Sequence, residues 1–414
     1  MVDRPVEAPP PIHLLVVSEV YHPELVSTGL FATRIAESFA LNCNVEAITT
    51  FPSYDARATR VPRKERVAGV DIIRCRGTRF GRRIVALRAL NVASVTLTMG
   101  LAVFRRTRRG TVVLATTNPP TIPLVCAVAA RLRRGRVIVL AQDLYPDAAV
   151  VAGVIDADAL PHRVFGAVYN WIWQHVDGVA AVGHDMALLI AERRGSRDGV
   201  VAIPNWAESG LHPDRAAGAT LRRQLAVGDA LVVMFAGNHG RLQDLDTIVD
   251  SIEQCRDDDR LRFVFIGDGV RRSWLVDQVA RRRLTKVALL PPRPRSDQMV
   301  FLNAADVILA PHAPGMRGVG VPGRVYNAWA VGVPVVALSE VGAEARGLIE
   351  RHGAGWVVEP GDSEGLTAVL QDLAADRSKC ATAGRNAVRL AAEECSADRA
   401  LDAYHRLVAD IARL

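Results

Sequence analysis

The residues of this chain best suited to chemistry are glycines and arginines gathered in loops, not nucleophiles or metal ligands. The most specific stretch is Gly318-Val-Gly-Val-Pro-Gly-Arg-Val-Tyr-Asn-Ala-Trp-Ala-Val-Gly-Val-Pro334. Its glycines make a pliant loop that enters a helix containing Tyr326, Asn327 and Trp329. Backbone N–H groups around Gly323 and Val325 would face an anion, and Arg324 adds a bidentate donor. A second loop, Phe235-Ala-Gly-Asn-His-Gly-Arg-Leu-Gln-Asp244, repeats the strand, glycine, helix order of a phosphate cradle, with Gly237 in the turn and Arg241 as its cation. Gly267-Asp-Gly269 is a tight turn that serves a ligand or the backbone alone. Near the N-terminus, Glu19-Val-Tyr-His-Pro-Glu24 runs through Ser27-Thr-Gly29 into a helix whose positive end attracts anions. Asp143, in Ala141-Gln-Asp-Leu-Tyr-Pro-Asp147, follows a strand directly. It points into a cleft or closes an Asx turn.

These loops need elements to hold them. Short apolar runs at residues 12–18, 45–49, 111–115, 137–141, 178–182 and 200–203 alternate with amphipathic stretches. Continuous apolar runs separated by helical patterns indicate buried parallel strands. The rhythm restarts after Pro204, with strands at 231–236, 261–266, 287–290, 307–310 and 333–338. The expectation is an α/β protein of two Rossmann-like, doubly wound domains facing across a cleft, residues 1–205 and 206–390. A strand-free helical end, 391–414, is placed to cross back onto the first domain. Ligands of such sheets sit beyond the carboxyl ends of the strands, where the loops above lie.

Composition narrows the classes. The six cysteines are scattered without CxxC spacing or a nearby histidine, so neither a disulfide framework nor a zinc site is expected. Asp257-Asp-Asp259 lies between a helix and the start of a strand, the wrong end of the sheet for a metal-binding carboxylate pair. No metal or cofactor is expected. Residues 1–11 are polar and proline-rich without an apolar signal core. The uncharged run 89–104 is short of the about 20 residues a spanning helix needs and reads as a buried helix. A cytoplasmic protein is expected. Between residues 60 and 136, eighteen basic residues face two acids, Glu65 and Asp71, so this stretch alone exceeds the +7 of the whole chain. Such a surface meets anions: phosphorylated substrates or a lipid headgroup layer. Nucleic acid fits less well, since the stretch holds Phe80 and Phe104 but no Trp or Tyr for stacking.

Taken together and in order, these loops resemble retaining glycosyltransferase family 4, of the GT-B fold. The 318–334 motif and Asp143-Leu-Tyr-Pro146 look most like its bacterial polysaccharide, or O-antigen-type, branch. The resemblance implies metal-independent transfer of a sugar from a nucleotide sugar, a UDP-sugar before a GDP-sugar, to a lipid-linked glycan or small-molecule acceptor. It implies that Thr28 and Gly29 touch the donor diphosphate, with Gly237, Gly267, Gly269, Gly323 and Val325 around it. It places Asp143 near the donor sugar, where the family often has a histidine, and His22 and Glu24 on the acceptor side. The sequence also departs from the family. The usual arginine and lysine after the first strand of the second domain are Asn238 and Gln243. Of the usual pair of glutamates, one is replaced by Asn327 and the other has no counterpart. Arg241 and Arg324 are expected to stand in for the lost cations, and Asn327 to bond ribose hydroxyls. The basic first domain suits an anionic membrane surface, with the enzyme peripheral to it. Two alternatives share the fold: a sugar-nucleotide epimerase, and a transferase with a soluble amino-sugar or thiol acceptor. A phosphorylase is disfavoured because Lys286 and Lys379 stand in unsuitable places for a Schiff base.

Overall fold

In the computed structural model the described residues are 12–24, 27–52, 61–78, 80 and 85–414. The first half runs β1 (His13–Val17), α1 (Ser27–Phe39), β2 (Asn44–Thr50), β3 (Lys64–Val67), β4 (Val70–Cys75), α2 (Val85–Arg106), β5 (Thr111–Thr116), α3 (Ile122–Arg133), β6 (Arg136–Ala141), α4 (Asp147–Val151), α5 (Leu160–His175), β7 (Gly178–Ala181), α6 (His184–Arg194) and β8 (Val200–Ala202). These strands form one sheet in the order β3-β4-β2-β1-β5-β6-β7-β8. All pairings are parallel except the β3–β4 hairpin, whose first strand, Lys64–Val67, is polar and shows no apolar pattern. β1 sits at the centre, with Leu14 opposite Val45 on one side and Val112 on the other. Its five residues are all buried, as a strand covered on both faces must be.

The second half runs α7 (Arg215–Gln224), β9 (Leu231–Ala236), α8 (Leu245–Gln254), β10 (Leu261–Ile266), α9 (Arg272–Arg281), β11 (Val287–Leu290), α10 (Gln298–Ala304), β12 (Val307–Pro311), α11 (Arg324–Ala330), β13 (Val335–Leu338), α12 (Glu344–His352), β14 (Gly355–Val358), α13 (Ser363–Ala375), α14 (Ser378–Glu393) and α15 (Ala397–Arg413). Its sheet is ordered β11-β10-β9-β12-β13-β14, parallel throughout. The order reverses between β9 and β12, so their carboxyl ends open a crevice.

The final helix crosses back. Ala400, Tyr404, Leu407, Val408 and Ile411 of α15 join Leu14, Val112, Ile138 and Leu140 in the first-domain core. Gly178 makes room for it: a Cβ there would stand 3.3 Å from Ile411 Cγ1. The two-sheet α/β architecture with a returning C-terminal helix is the one the sequence predicts.

One element differs. The run 89–104 reads as a buried helix, but among the described residues of α2 those in the core cluster are Val95, Met99, Ala102 and Val103. Leu97 is 71% exposed, and Leu90, Leu101 and Phe104 are exposed as well. The helix lies on the outside of the sheet, so one stripe suffices for burial, while its sequence is apolar on two. Among the described residues no helix is long and apolar enough to cross a membrane.

Candidate functional site

Between the two sheets lies a cavity of about 640 Å³. One wall comes from the first half of the chain and the connecting segment: Leu30 and Phe31 of α1, then Trp206 and Glu208. Phe31 and Trp206 meet edge to face, with centroids 4.8 Å apart. The other wall is the carboxyl end of β9 and β10, Ala236–Asn238 and Ile266–Asp268, with Gly323, Arg324 and Asn327 at the start of α11.

The loops after β9 and β10 touch as backbone. Gly267 has φ 141°, and a Cβ on it would lie 2.0 Å from the carbonyl oxygen of Gly237. Only glycine permits that contact. His239 N–H donates to Asp268 O at 2.8 Å and Arg271 N–H to His239 O at 3.0 Å. Gly269 packs against Asn238 and His239 in the same seam.

Arg324 is seated on this platform. Its guanidinium carbon is 4.1 Å from the centroid of the Phe235 ring, a cation–π contact. Its Nη2 would be 3.2 Å from a Cβ placed at Gly237, and its buried Nη1 has no hydrogen-bond partner. Burial lowers the guanidinium to about 10, so it stays charged at neutral pH. Burial together with the charges of Arg272 and Arg324 pushes His239 down to about 4, and burial with Arg324 does the same to His312. Both imidazoles are neutral at pH 7, and neither ring nitrogen of His239 has a partner. The result is a buried cation with an unpartnered Nη1 on the cavity wall, which attracts a compact anion. Helix α11 is only seven residues long, so that attraction rests on the guanidinium more than on a helix dipole.

A turn after Arg324, Asn327 is already engaged. Its Oδ1 accepts from Glu208 N–H at 3.0 Å, and its Nδ2 donates to Glu208 Oε1 at 3.1 Å and to Gln298 Oε1 at 3.2 Å. Glu208 Oε1 also accepts from Gln298 Nε2 at 2.9 Å and pairs with Arg295 at 2.7 Å. Thus Asn327 positions a carboxylate that the connecting segment supplies. Glu208, Arg293 and Arg295, all lining the cavity, went unnoticed in the sequence. Pro291-Pro-Arg-Pro-Arg295 follows β11 directly, so the strand-end rule could have found the two arginines. Nothing local marks Glu208.

Other sequence-predicted residues fall elsewhere. Arg241 is exposed and does not line the cavity. Gln243 pairs with His312 through the backbone, and its side-chain oxygen is buried without a partner. Val325 is buried in the second-domain core. Gly29 lets α1 approach the preceding loop, since a Cβ there would lie 2.8 Å from Glu24 O. Thr28 precedes it at the start of α1, half-buried, while residues 25–26 of that loop lie outside the described residues. His22 is used by the fold: its carbonyl accepts from Arg74 Nη2 at 2.8 Å and its N–H donates to Thr33 Oγ1 at 3.2 Å. Glu24 is buried, and its N–H donates to Tyr21 O.

Asp143 stands at the seam between the halves, not on the cavity wall. It bridges to Gly320, and the next N–H, of Leu144, donates to Val319 O at 2.8 Å. Burial raises its carboxyl to about 6. The same seam holds Asp185, whose Oδ2 accepts from Gly318 N–H at 2.9 Å and Glu344 N–H at 3.0 Å. Glu344 in turn accepts from His184 N–H at 2.7 Å. The loop that delivers Arg324 is therefore tied to the first domain at Gly318, Val319 and Gly320. Asp257-Asp-Asp259 is a loop far from the crevice end, with Asp258 paired to Arg260 and Asp259 to Lys286. Among the described residues no cluster of His, Cys, Asp or Glu suits a metal ion.

With this geometry in hand, known proteins can be set beside the chain. The family described as "Glycosyl transferases group 1" matches residues 230–376. The probable glycosyltransferase WbjE of Pseudomonas aeruginosa is 31% identical over 274 residues, 65% of this chain and 67% of that protein. The amylovoran biosynthesis glycosyltransferase AmsK of Erwinia amylovora is 30% identical over 140 residues, 32% of this chain and 34% of that protein. Two solved structures share the fold over 96% of this chain. HepE of Anabaena, solved with UDP and glucose, has a TM-score of 0.71 at 18% identity and is covered in full. Sucrose-phosphate synthase of Thermosynechococcus elongatus has a TM-score of 0.74 at 16% identity and is 98% covered.

Proposed function

Because this chain belongs to the group 1 glycosyl transferases, we propose that it moves a sugar from a nucleoside diphosphate sugar to a glycan acceptor of polysaccharide assembly. A UDP-sugar is the first donor to test and a GDP-sugar the second. The observation that carries the reading is Arg324: a charged guanidinium with an unpartnered Nη1, held over Phe235 beside Gly237 in the interdomain cavity. The donor diphosphate lies there. The nucleoside extends toward Asn327 and Glu208, a turn further along α11, and the sugar points toward the seam.

The donor C1–O bond breaks with oxocarbenium character, and its electron pair passes to the β-phosphate oxygen. Arg324 meets that charge, which is stronger in the transition state than in the bound donor. The acceptor hydroxyl attacks from the leaving-group face and passes its proton to the departing β-phosphate oxygen, so the anomeric configuration is retained. Asp143, ionised for the most part at pH 7 with a carboxyl near 6, contacts sugar hydroxyls, and its loop fixes the 318–320 segment. Thr28 and Gly29 approach the phosphates from the first domain, and His22 and Glu24 border the acceptor. In this scheme the leaving group is stabilised by protein cations and needs no metal. UDP in the HepE structure supports the donor class. The name of AmsK supports a polysaccharide acceptor, lipid-linked in the first instance.

The test is a thermal-shift panel of UDP, GDP, dTDP and ADP on the whole chain. A ligand stabilises by RT ln(1 + [L]/Kd), so UDP is expected to raise the midpoint most. If no nucleoside diphosphate raises it, the donor reading fails.

A further inference from the structure

Helix α2 has two apolar faces and the first sheet uses one of them. Leu90, Leu97, Leu101 and Phe104 recur at intervals of seven, four and three residues, a single stripe of a helix. All four are exposed. The stripe widens onto α3. A Cβ on Gly100 would stand 3.2 Å from Val125 Cβ, so α2 and α3 pack closely there. On α3, Val128 and Leu132 stand one turn apart and exposed, Leu132 by 67%. The Arg133 guanidinium lies 5.2 Å from the Phe104 ring centroid, so the two helices end side by side. At 1.5 Å per residue, the stripe from Leu90 to Phe104 makes a ridge roughly 21 Å long.

The charge around this ridge has one sign. Between Asp71 and Asp143 the chain has fourteen arginines and no Asp or Glu. At the shared end of the two helices, Arg106 pairs with Glu46 and Arg136 with Asp177. Arg105, Arg108, Arg109, Arg131 and Arg134 are exposed, and none of them has an ion pair among the described residues. An exposed apolar stripe rimmed by unpaired arginines is the composition of an interfacial helix, its apolar side among acyl chains and its guanidinium groups on phosphates. We propose that the α2–α3 face docks on an anionic phospholipid bilayer, with α2 lying in the plane of the interface. This proposal stands on the surface of the first domain and is independent of the donor reading.

The experiment is co-sedimentation of the full chain with phosphatidylglycerol-containing vesicles and with phosphatidylcholine vesicles, at low and high salt. The wild type is expected to pellet with the anionic vesicles about tenfold better, and to keep part of that binding in high salt through the apolar ridge. L97D/L101D is expected to lose about tenfold in anionic-vesicle binding with an unchanged thermal midpoint, since both leucines are exposed. R105E/R109E, a second surface variant, is expected to lose the preference for anionic lipid. Three results overturn the proposal. The wild type does not pellet with anionic vesicles; or both variants pellet as the wild type does; or light scattering shows a wild-type dimer that L97D/L101D dissociates, so that a second copy covers the ridge.

Discussion

At the cleft the two sheets present different material. The second ends in bare backbone and caged cations: Gly237 and Gly267 in contact, Arg324 over Phe235, and two neutral imidazoles behind them. The first ends in closed loops. Its glycine at 29 packs closely on Glu24, the His22 carbonyl is taken by Arg74, and the α1 residues that line the cavity are apolar, Leu30 and Phe31. The exposed Arg105, Arg108, Arg109, Arg131 and Arg134 of the first domain cluster instead at the ends of α2 and α3. Similar strand–helix units thus divide the work: one lines the cavity with a caged guanidinium, and the other closes the cavity and carries exposed charge around α2 and α3. Anions bind well where charge is desolvated and prearranged, and weakly where it is hydrated.

The largest test of that contrast is Arg324→Ala against Arg241→Ala. Removing one donor aimed at developing charge lowers kcat about 10²–10³-fold. We expect that loss, with weaker UDP binding, for Arg324→Ala in steady-state kinetics. Arg241 is exposed, and its removal is expected to change kcat/KM by no more than about twofold, the level of a surface charge. Equal losses for both would erase the distinction between caged and solvated cations.

Next in size is Gly267→Ala. The new Cβ meets the Gly237 carbonyl at 2.0 Å on a backbone at φ 141°. Backbone strain of this kind costs of order 1–3 kcal/mol, so denaturant unfolding should show a loss of about that size together with lost nucleotide affinity. A variant of full stability would mean that the two glycine loops are not in contact.

The smallest effect concerns the seam. Burial raises Asp143 to about 6, above the roughly 3.9 of an unfolded aspartate. The folded state therefore holds this proton more tightly. Asp143 contributes stability that is complete below about pH 4 and is lost as pH rises through about 6. The thermal midpoint of the wild type, measured relative to Asp143→Asn, should fall between those values and stay level above them. A difference independent of pH would place Asp143 in water.

Much of this was legible in the chain. Continuous apolar runs located the central strands of both sheets, because a parallel strand buried on two faces leaves no room for polar residues. The stretch 318–334 stood out because glycines and an arginine precede a helix, and folding sets Gly323, Arg324 and Asn327 on the cavity wall. β3 was not legible, being polar and at the sheet edge, and β4, though buried, is interrupted by Asp71 and Arg74. Nor was the role of Asn327: the chain shows an amide, and only folding sets Glu208 beside it, 119 positions earlier.

The sequence alone therefore determined the two α/β domains, the glycine-rich loops at the strand ends of the second, and a first domain loaded with arginine. These follow from periodicity and composition, which are local. Tertiary structure alone decided which arginine is caged and which solvated, which carboxylate enters the cavity, and which stripe of α2 stays bare. Each depends on burial against residues distant in the chain, and local patterning carries no record of that.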